Sequence, residues 1–274
     1  LDQLIISRES HQIFDVFCDL QLSEKCRKNY KMQYREFIKV SNNNDDKLLC
    51  LPCSRALKAS GRNNPNTKYK SLDDNFFLEI NSKEKAYLLG WIASDGHIGK
   101  RGFKIAIHQK DIVILKIFQN FICKDVSIRQ FTTATSKLCS YEINSQKISK
   151  DLCKWLNIKP GKKSNSVNFP KILPEFQWDF IRGYFEGDGS INDPEKSKYP
   201  YPKGNIKSNS LSMLKDIQNI CGGNGSITCN MLCLSNKQMM HMLHNMYQNN
   251  ELILDRKYIR YQKWIKVIEN RKCQ

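Results

Sequence analysis

Leu88-Leu89-Gly90-Trp91-Ile92-Ala93-Ser94-Asp95-Gly96 is echoed later in the chain as Ile181-Arg182-Gly183-Tyr184-Phe185-Glu186-Gly187-Asp188-Gly189. In register, the two stretches share an apolar opening, a glycine, an aromatic residue, a small residue and a closing Asp-Gly. Gly90 and Gly183 lie 93 positions apart, and so do Asp95 and Asp188. That is an internal repeat with the spacing of a small α/β unit. Each copy reads as a helix. Ser82 is a candidate N-cap, Leu88, Leu89, Ile92 and Ala93 follow helical spacing, and Gly96 is a stop signal. The second copy opens at Pro174-Glu175-Phe176 and stops at Gly189 in the same way. Gly90 with Ser94, and Gly183 with Gly187, put small residues four apart on one helix face, where two backbones can approach closely.

If the copies pack face to face, Asp95 and Asp188 emerge side by side. Each carboxylate then faces the negative end of its own helix dipole with a second carboxylate nearby. A divalent cation relieves both penalties, and hard oxygen ligands suit Mg²⁺. One Asp-Gly alone is an ordinary helix-ending turn; two in register point to a site.

The paired stretches resemble the LAGLIDADG homing endonucleases in their single-chain, two-repeat form, and the resemblance extends over residues 80 to 270. It implies an α+β fold of two pseudo-symmetric αββαββα repeats packed through paired motif helices. It implies that Asp95 and Asp188 bind catalytic Mg²⁺, while the sixth motif position, Ala93 in one copy and Glu186 in the other, supplies no matched pair of acids. The family often carries a basic residue near the close of each repeat. Here Lys163, in Pro160-Gly161-Lys162-Lys163-Ser164, and Lys257, in Leu254-Asp255-Arg256-Lys257-Tyr258, are the candidates, placed opposite one another. The implied activity is a staggered double-strand break in double-stranded DNA at a long asymmetric site, made by a monomer and serving intron mobility. Two other functions of the same fold stay open: an intron maturase that binds RNA, and a DNA-binding protein without catalysis.

Composition agrees with a polyanionic partner. The 274 residues carry a net charge of +17. No run approaches membrane-spanning length, and the eleven scattered cysteines do not form a compact disulfide pattern. The expectation is an intracellular protein of a reducing compartment, nuclear or cytoplasmic, with an organelle or viral host also open, and no membrane partner.

Three segments are expected: a basic N-terminal module and linker over 1–80, and repeats over 81–168 and 169–274. The opening residues to Leu22 read as a short helix or a strand pair. Between Lys25 and Lys70 twelve Lys or Arg stand against three acids, with Tyr30, Tyr34 and Phe37 interleaved, a mixture that suits nucleic acid. Cys50-Leu51-Pro52-Cys53 has metal-ligand spacing, and Cys18 with Cys26 would complete a four-cysteine Zn²⁺ site, although seven residues separate that first pair. Reduced cysteines in a small core are the alternative. A helix is expected over Ser54 to Ala59, and the residues on to Lys70 read as a linker.

Within the first repeat, strands are expected from His97, over Phe103 to His108, near Val126 to Phe131 and over Cys139 to Ile143. Helices are expected over Asp111 to Cys123, with Ile114, Leu115, Ile117, Phe118 and Phe121 inward, and over Ile148 to Leu156. Lys104, Ala106 and His108 would face outward on a sheet suited to a DNA groove. In the second repeat, the loop from Asp193 to Lys203 concentrates lysines and tyrosines for phosphate or base contact. His241 and His244 have the look of metal ligands but lack an evident third partner, which favours packing.

Overall fold

The computed structural model describes residues 13–19, 21, 24–26, 28–33, 49–53, 69–161, 167–248 and 251–272. The chain divides into two compact units, Leu1–Lys68 and Tyr69–Gln274.

In the first unit, β1 (Ile13–Phe17) pairs antiparallel with β2 (Asn29–Gln33), Ile13 opposite Gln33 and Phe17 opposite Asn29. The opening stretch therefore ends as a strand, not a helix. Cys18 closes the hairpin, its N–H donating to the Lys28 carbonyl at 3.0 Å. The expected helix over 54–59, together with Tyr34 and Phe37, lies outside the described residues.

The second unit repeats one chain path. In the first pass, α1 (Lys83–Asp95) runs directly into β3 (Gly96–Gly99) and β4 (Gly102–His108). Then come α2 (Ile112–Ile122), β5 (Arg129–Thr132), β6 (Lys137–Ile143) and α3 (Gln146–Leu156). The second pass runs α4 (Pro174–Asp188), β7 (Gly189–Ile191), β8 (Lys203–Lys207) and α5 (Leu211–Ile220). It closes with β9 (Ser226–Thr228), β10 (Met231–Ser235) and α6 (Asn236–Tyr247), and α7 (Asp255–Lys272) follows. The sheets have equivalent strand orders, β3-β4-β6-β5 and β7-β8-β10-β9, all antiparallel. This is the expected α+β architecture of two αββαββα repeats.

Local chemistry explains the elements. Ser82 caps α1 by accepting from the Lys85 N–H, and Pro174 occupies the first turn of α4, where a missing N–H costs nothing. Phe103, Ile105 and Ile107 alternate inward along β4 and meet Tyr141 and Ile143 of β6. On α2 the buried positions are Ile114, Leu115, Phe118 and Ile122. Ile122 thus takes the place expected of Phe121, because the four-residue step from Phe118 selects it. Phe121 stays 41% exposed, its ring 6.3 Å from that of Phe76.

The larger unit begins before the expected boundary at residue 81. Phe76, Phe77 and Ile80 are buried in its core, and Trp155 of α3 donates its indole N–H to the Phe77 carbonyl. Among the described residues no helix is long and apolar enough to cross a membrane.

Candidate active site

The site grows from the contact between α1 and α4. A Cβ added at Gly90 would overlap the Phe180 carbonyl oxygen and stand 2.8 Å from the Tyr184 nitrogen. A Cβ at Gly183 would overlap the Tyr87 carbonyl oxygen and stand 3.1 Å from the Trp91 nitrogen. One turn on, a Cβ at Gly187 would overlap Ser94 Oγ and stand 2.6 Å from Asp95 Oδ2. Only small residues permit this approach, so two backbones run together down to their last turns.

The two helices hand the chain to their strands at Gly96 and Gly189, and the residue before each hand-over is Asp95 or Asp188. Both acids are exposed. Burial pushes the Tyr184 hydroxyl well above its ordinary range, and the negative charges of Asp188 and Asp95 push it further the same way. Both carboxylates therefore act on one hydroxyl, which donates to Ser208 Oγ at 2.9 Å. Beside it opens a cavity of about 260 Å³, whose lining includes Ser94, Tyr184, Asp188, Lys207, Ser208 and Asn209. An oxygen-only set of two carboxylates at paired helix ends fits a hard divalent cation.

A buried polar layer fixes these helix ends. Lys257, 2% exposed, donates to the carbonyls of Phe185 (2.6 Å), Glu186 (2.8 Å) and Gly189 (2.6 Å). It grips the turn that carries Asp188 from beneath, instead of opening onto the exposed side. Burial, aided by the neighbouring Arg256, pushes its amine down to about 7. Glu186 is wholly buried and accepts from the Tyr87 hydroxyl at 2.5 Å and the Leu254 N–H at 2.9 Å. Arg256 makes a two-pronged pair with Asp111, at 2.9 and 3.0 Å, tying α7 to the first repeat. Arg260 and Trp264 donate to the carbonyls of Ile191 and Asn192, so α7 also holds the end of β7.

The sheet registers define the outward faces. His97, Lys104 and Glu142 lie in one row across the first sheet, with Ala106, Ser140 and Arg129 in the next and His108, Leu138 and Phe131 beyond. In the second sheet, Ser190, Asn205, Cys233 and Ser226 form one row, and Lys207, Met231 and Thr228 another. Lys203 and Lys207 stand on that face with no acid among the described residues. The loop after β7 is anchored by Lys263, which pairs with Glu195 at 2.8 Å, and by Arg271, which donates to the Pro200 carbonyl. Within it Tyr199 and Tyr201 pack at 5.7 Å between ring centroids, and Lys203 lies over the Tyr199 ring.

Of the residues singled out in the sequence, Asp95, Asp188 and Lys257 come together, and Lys163 lies outside the described residues. His244 is used in packing, its Nδ1 3.2 Å from the Tyr261 hydroxyl. Cys18, Cys26, Cys50 and Cys53 converge in the other unit, their sulfurs all within 4.8 Å of one another. Sequence reading missed Tyr184 with Ser208, Lys207 and Asn209. Tyr184 was visible as the aromatic position of the repeat, but nothing local marked Lys207 at the end of β8 or Ser208 and Asn209 after it.

Residues 175–227, the second motif helix and the strands after it, match the family model of the LAGLIDADG-like domain. The matched segment lies within the second of the two repeats. No curated protein sequence matches. Among solved structures it is similar to I-SmaMI bound to uncleaved DNA target in the presence of calcium ions, at 15% identity and TM-score 0.47, covering 68% of this chain and 92% of that one. It is also similar to the I-LtrWI LAGLIDADG homing endonuclease bound to target DNA, at 12% identity and TM-score 0.46, covering 74% and 92%. A third is the N-terminal LAGLIDADG domain of DUF199/WhiA, at 12% identity and TM-score 0.39, covering 67% and 95%.

Proposed function

We propose that this chain is a site-specific DNA endonuclease that hydrolyses both strands of a long asymmetric site as a monomer. The observation that carries it is the placement of Asp95 and Asp188, exposed at the ends of two helices whose backbones touch.

Asp95 and Asp188 would hold Mg²⁺. Bound there, it would polarise the phosphoryl oxygens and lower the pKa of a water so that its deprotonated form could attack phosphorus. The chain's own residues do the rest. Lys257 and Glu186 fix the turn bearing Asp188, so the carboxylate need not reorganise when substrate arrives. Lys257 acts by positioning; its amine protons are directed at carbonyls. Lys163 would be the basic residue serving the scissile phosphate in the first repeat. Lys207, on the cavity wall beside Asp188, would meet a phosphate oxygen. The outward sheet rows would follow the duplex, with Arg129, Lys104, Lys203 and Asn205 offering donors to base edges or phosphates. The two faces differ in sequence, which requires an asymmetric site.

Cleavage of a randomised double-stranded DNA library with Mg²⁺ tests this. Discrete sites cut with staggered ends support it. Binding without cutting would hand the fold to a DNA-binding role, and preference for intron RNA would hand it to a maturase.

A further inference from the structure

We infer that Cys18, Cys26, Cys50 and Cys53 hold one structural Zn²⁺ ion in the N-terminal unit. The inference does not rest on the nuclease reading.

Four thiols from two separate segments come together. Cys18 and Cys26 lie on the connection between β1 and β2, and Cys50 and Cys53 lie on the segment 49–53. All four sulfurs lie within 4.8 Å of one another. The Cys26 and Cys50 sulfurs are 3.7 Å apart, far beyond the roughly 2.05 Å of a disulfide. A tetrahedron with zinc–sulfur bonds of about 2.3 Å has edges of about 3.8 Å. The Cys26–Cys50 separation matches such an edge, and the other sulfur pairs lie within 4.8 Å. A sulfur-only, closed, four-coordinate set selects zinc over magnesium or calcium.

Two further observations agree. The Cys50 N–H points at Cys18 Sγ, 3.5 Å away, the kind of outer hydrogen bond that orients a thiolate ligand. Burial also places the sulfurs where a core should be. Cys18, Cys50 and Cys53 are 3%, 0% and 0% exposed, and among the described residues they form a buried cluster with Leu49, with Cys26 and Tyr30 packed against it. A metal linking the sulfurs would contribute to the folding of this unit. The geometry also accounts for the seven-residue gap between Cys18 and Cys26. Both residues lie between β1 and β2, and both reach one centre.

The experiment is metal analysis of the full chain purified without chelator. It compares wild type with the Cys50→Ser/Cys53→Ser double variant and with Cys229→Ser, an exposed cysteine in the other unit. Wild type and Cys229→Ser should carry about one zinc per chain, and the double variant less than about a tenth of that. Because the double variant could lose its fold, wild type is also stripped and refilled with Co²⁺. Tetrahedral thiolate coordination should then give intense visible and charge-transfer bands at one equivalent. Wild type without zinc, equal zinc in all three proteins, iron in place of zinc, or disulfides among the four cysteines would each overturn the inference.

Discussion

Gly90 and Gly183 occupy each other's neighbourhoods. Gly90 packs on the backbone of Phe180 and Tyr184, and Gly183 on the backbone of Tyr87 and Trp91. Each of these neighbours is the other's counterpart at the same 93-residue offset, so the helix pair has a local twofold relation written into one chain. The obstacle at both sites is backbone, which cannot swing away. Gly90→Ala and Gly183→Ala should each cost about 3 kcal/mol or more, and by similar amounts, measured by urea unfolding. An effect below about 1 kcal/mol at either position would contradict the close contact.

Glu186 makes its own prediction. Removing the carboxyl by Glu186→Ala leaves the Tyr87 hydroxyl and the Leu254 N–H buried without their acceptor. The expected loss is about 1–3 kcal/mol for each group. Glu186→Gln can accept from Leu254 and donate to the Tyr87 oxygen, so its cost should be less than half that of Glu186→Ala in the same unfolding experiment.

Lys257 gives the stability a pH signature. Its amine is held at about 7, against an ordinary value of 10.5. Between those values the unfolded chain binds this proton more tightly than the fold does. Stability from this group therefore rises as pH climbs from about 7 toward 10.5, by up to about 1.4 kcal/mol per pH unit. Lys257→Met should lack that rise. Parallel stability–pH curves for the two proteins would show that the amine is not depressed.

The outward lysines should act on affinity in proportion to the phosphates they meet. Lys207→Ala and Lys104→Ala should each weaken DNA binding across sequences and reduce the salt slope of log K by about 0.9, read from binding titrations at several salt concentrations. An unchanged slope would remove that residue from the proposed interface.

Much of this was legible in the sequence because repetition supplied a second witness. An Asp-Gly after a helix says little, but Asp95-Gly96 and Asp188-Gly189 in matched contexts announce a helix pair. Strands such as Phe103 to His108 were readable because alternation reports a half-buried sheet. What local pattern could not report was long-range pairing. Lys257 reads in the sequence as a basic residue of the active site, and only the fold puts it beneath the carbonyls of Phe185 and Gly189. Glu186 reads only as the unmatched sixth position of the motif until Tyr87 and Leu254 close around it. Phe76, Phe77 and Ile80 fall outside the repeat expected from residue 81 because three apolar residues have no period to read; their burial depends on elements tens of residues away.

The most direct test of the account compares wild type, Asp95→Asn and Asp188→Asn on a DNA site selected by wild type, in Mg²⁺ and in chelator. Asparagine keeps the size of each side chain and removes the charge that would hold the ion. The account predicts that binding stays within a few-fold while Mg²⁺-dependent cutting falls at least about 100-fold in either variant. Cutting by both variants at the wild-type rate would contradict the assignment of Asp95 and Asp188 as the catalytic pair.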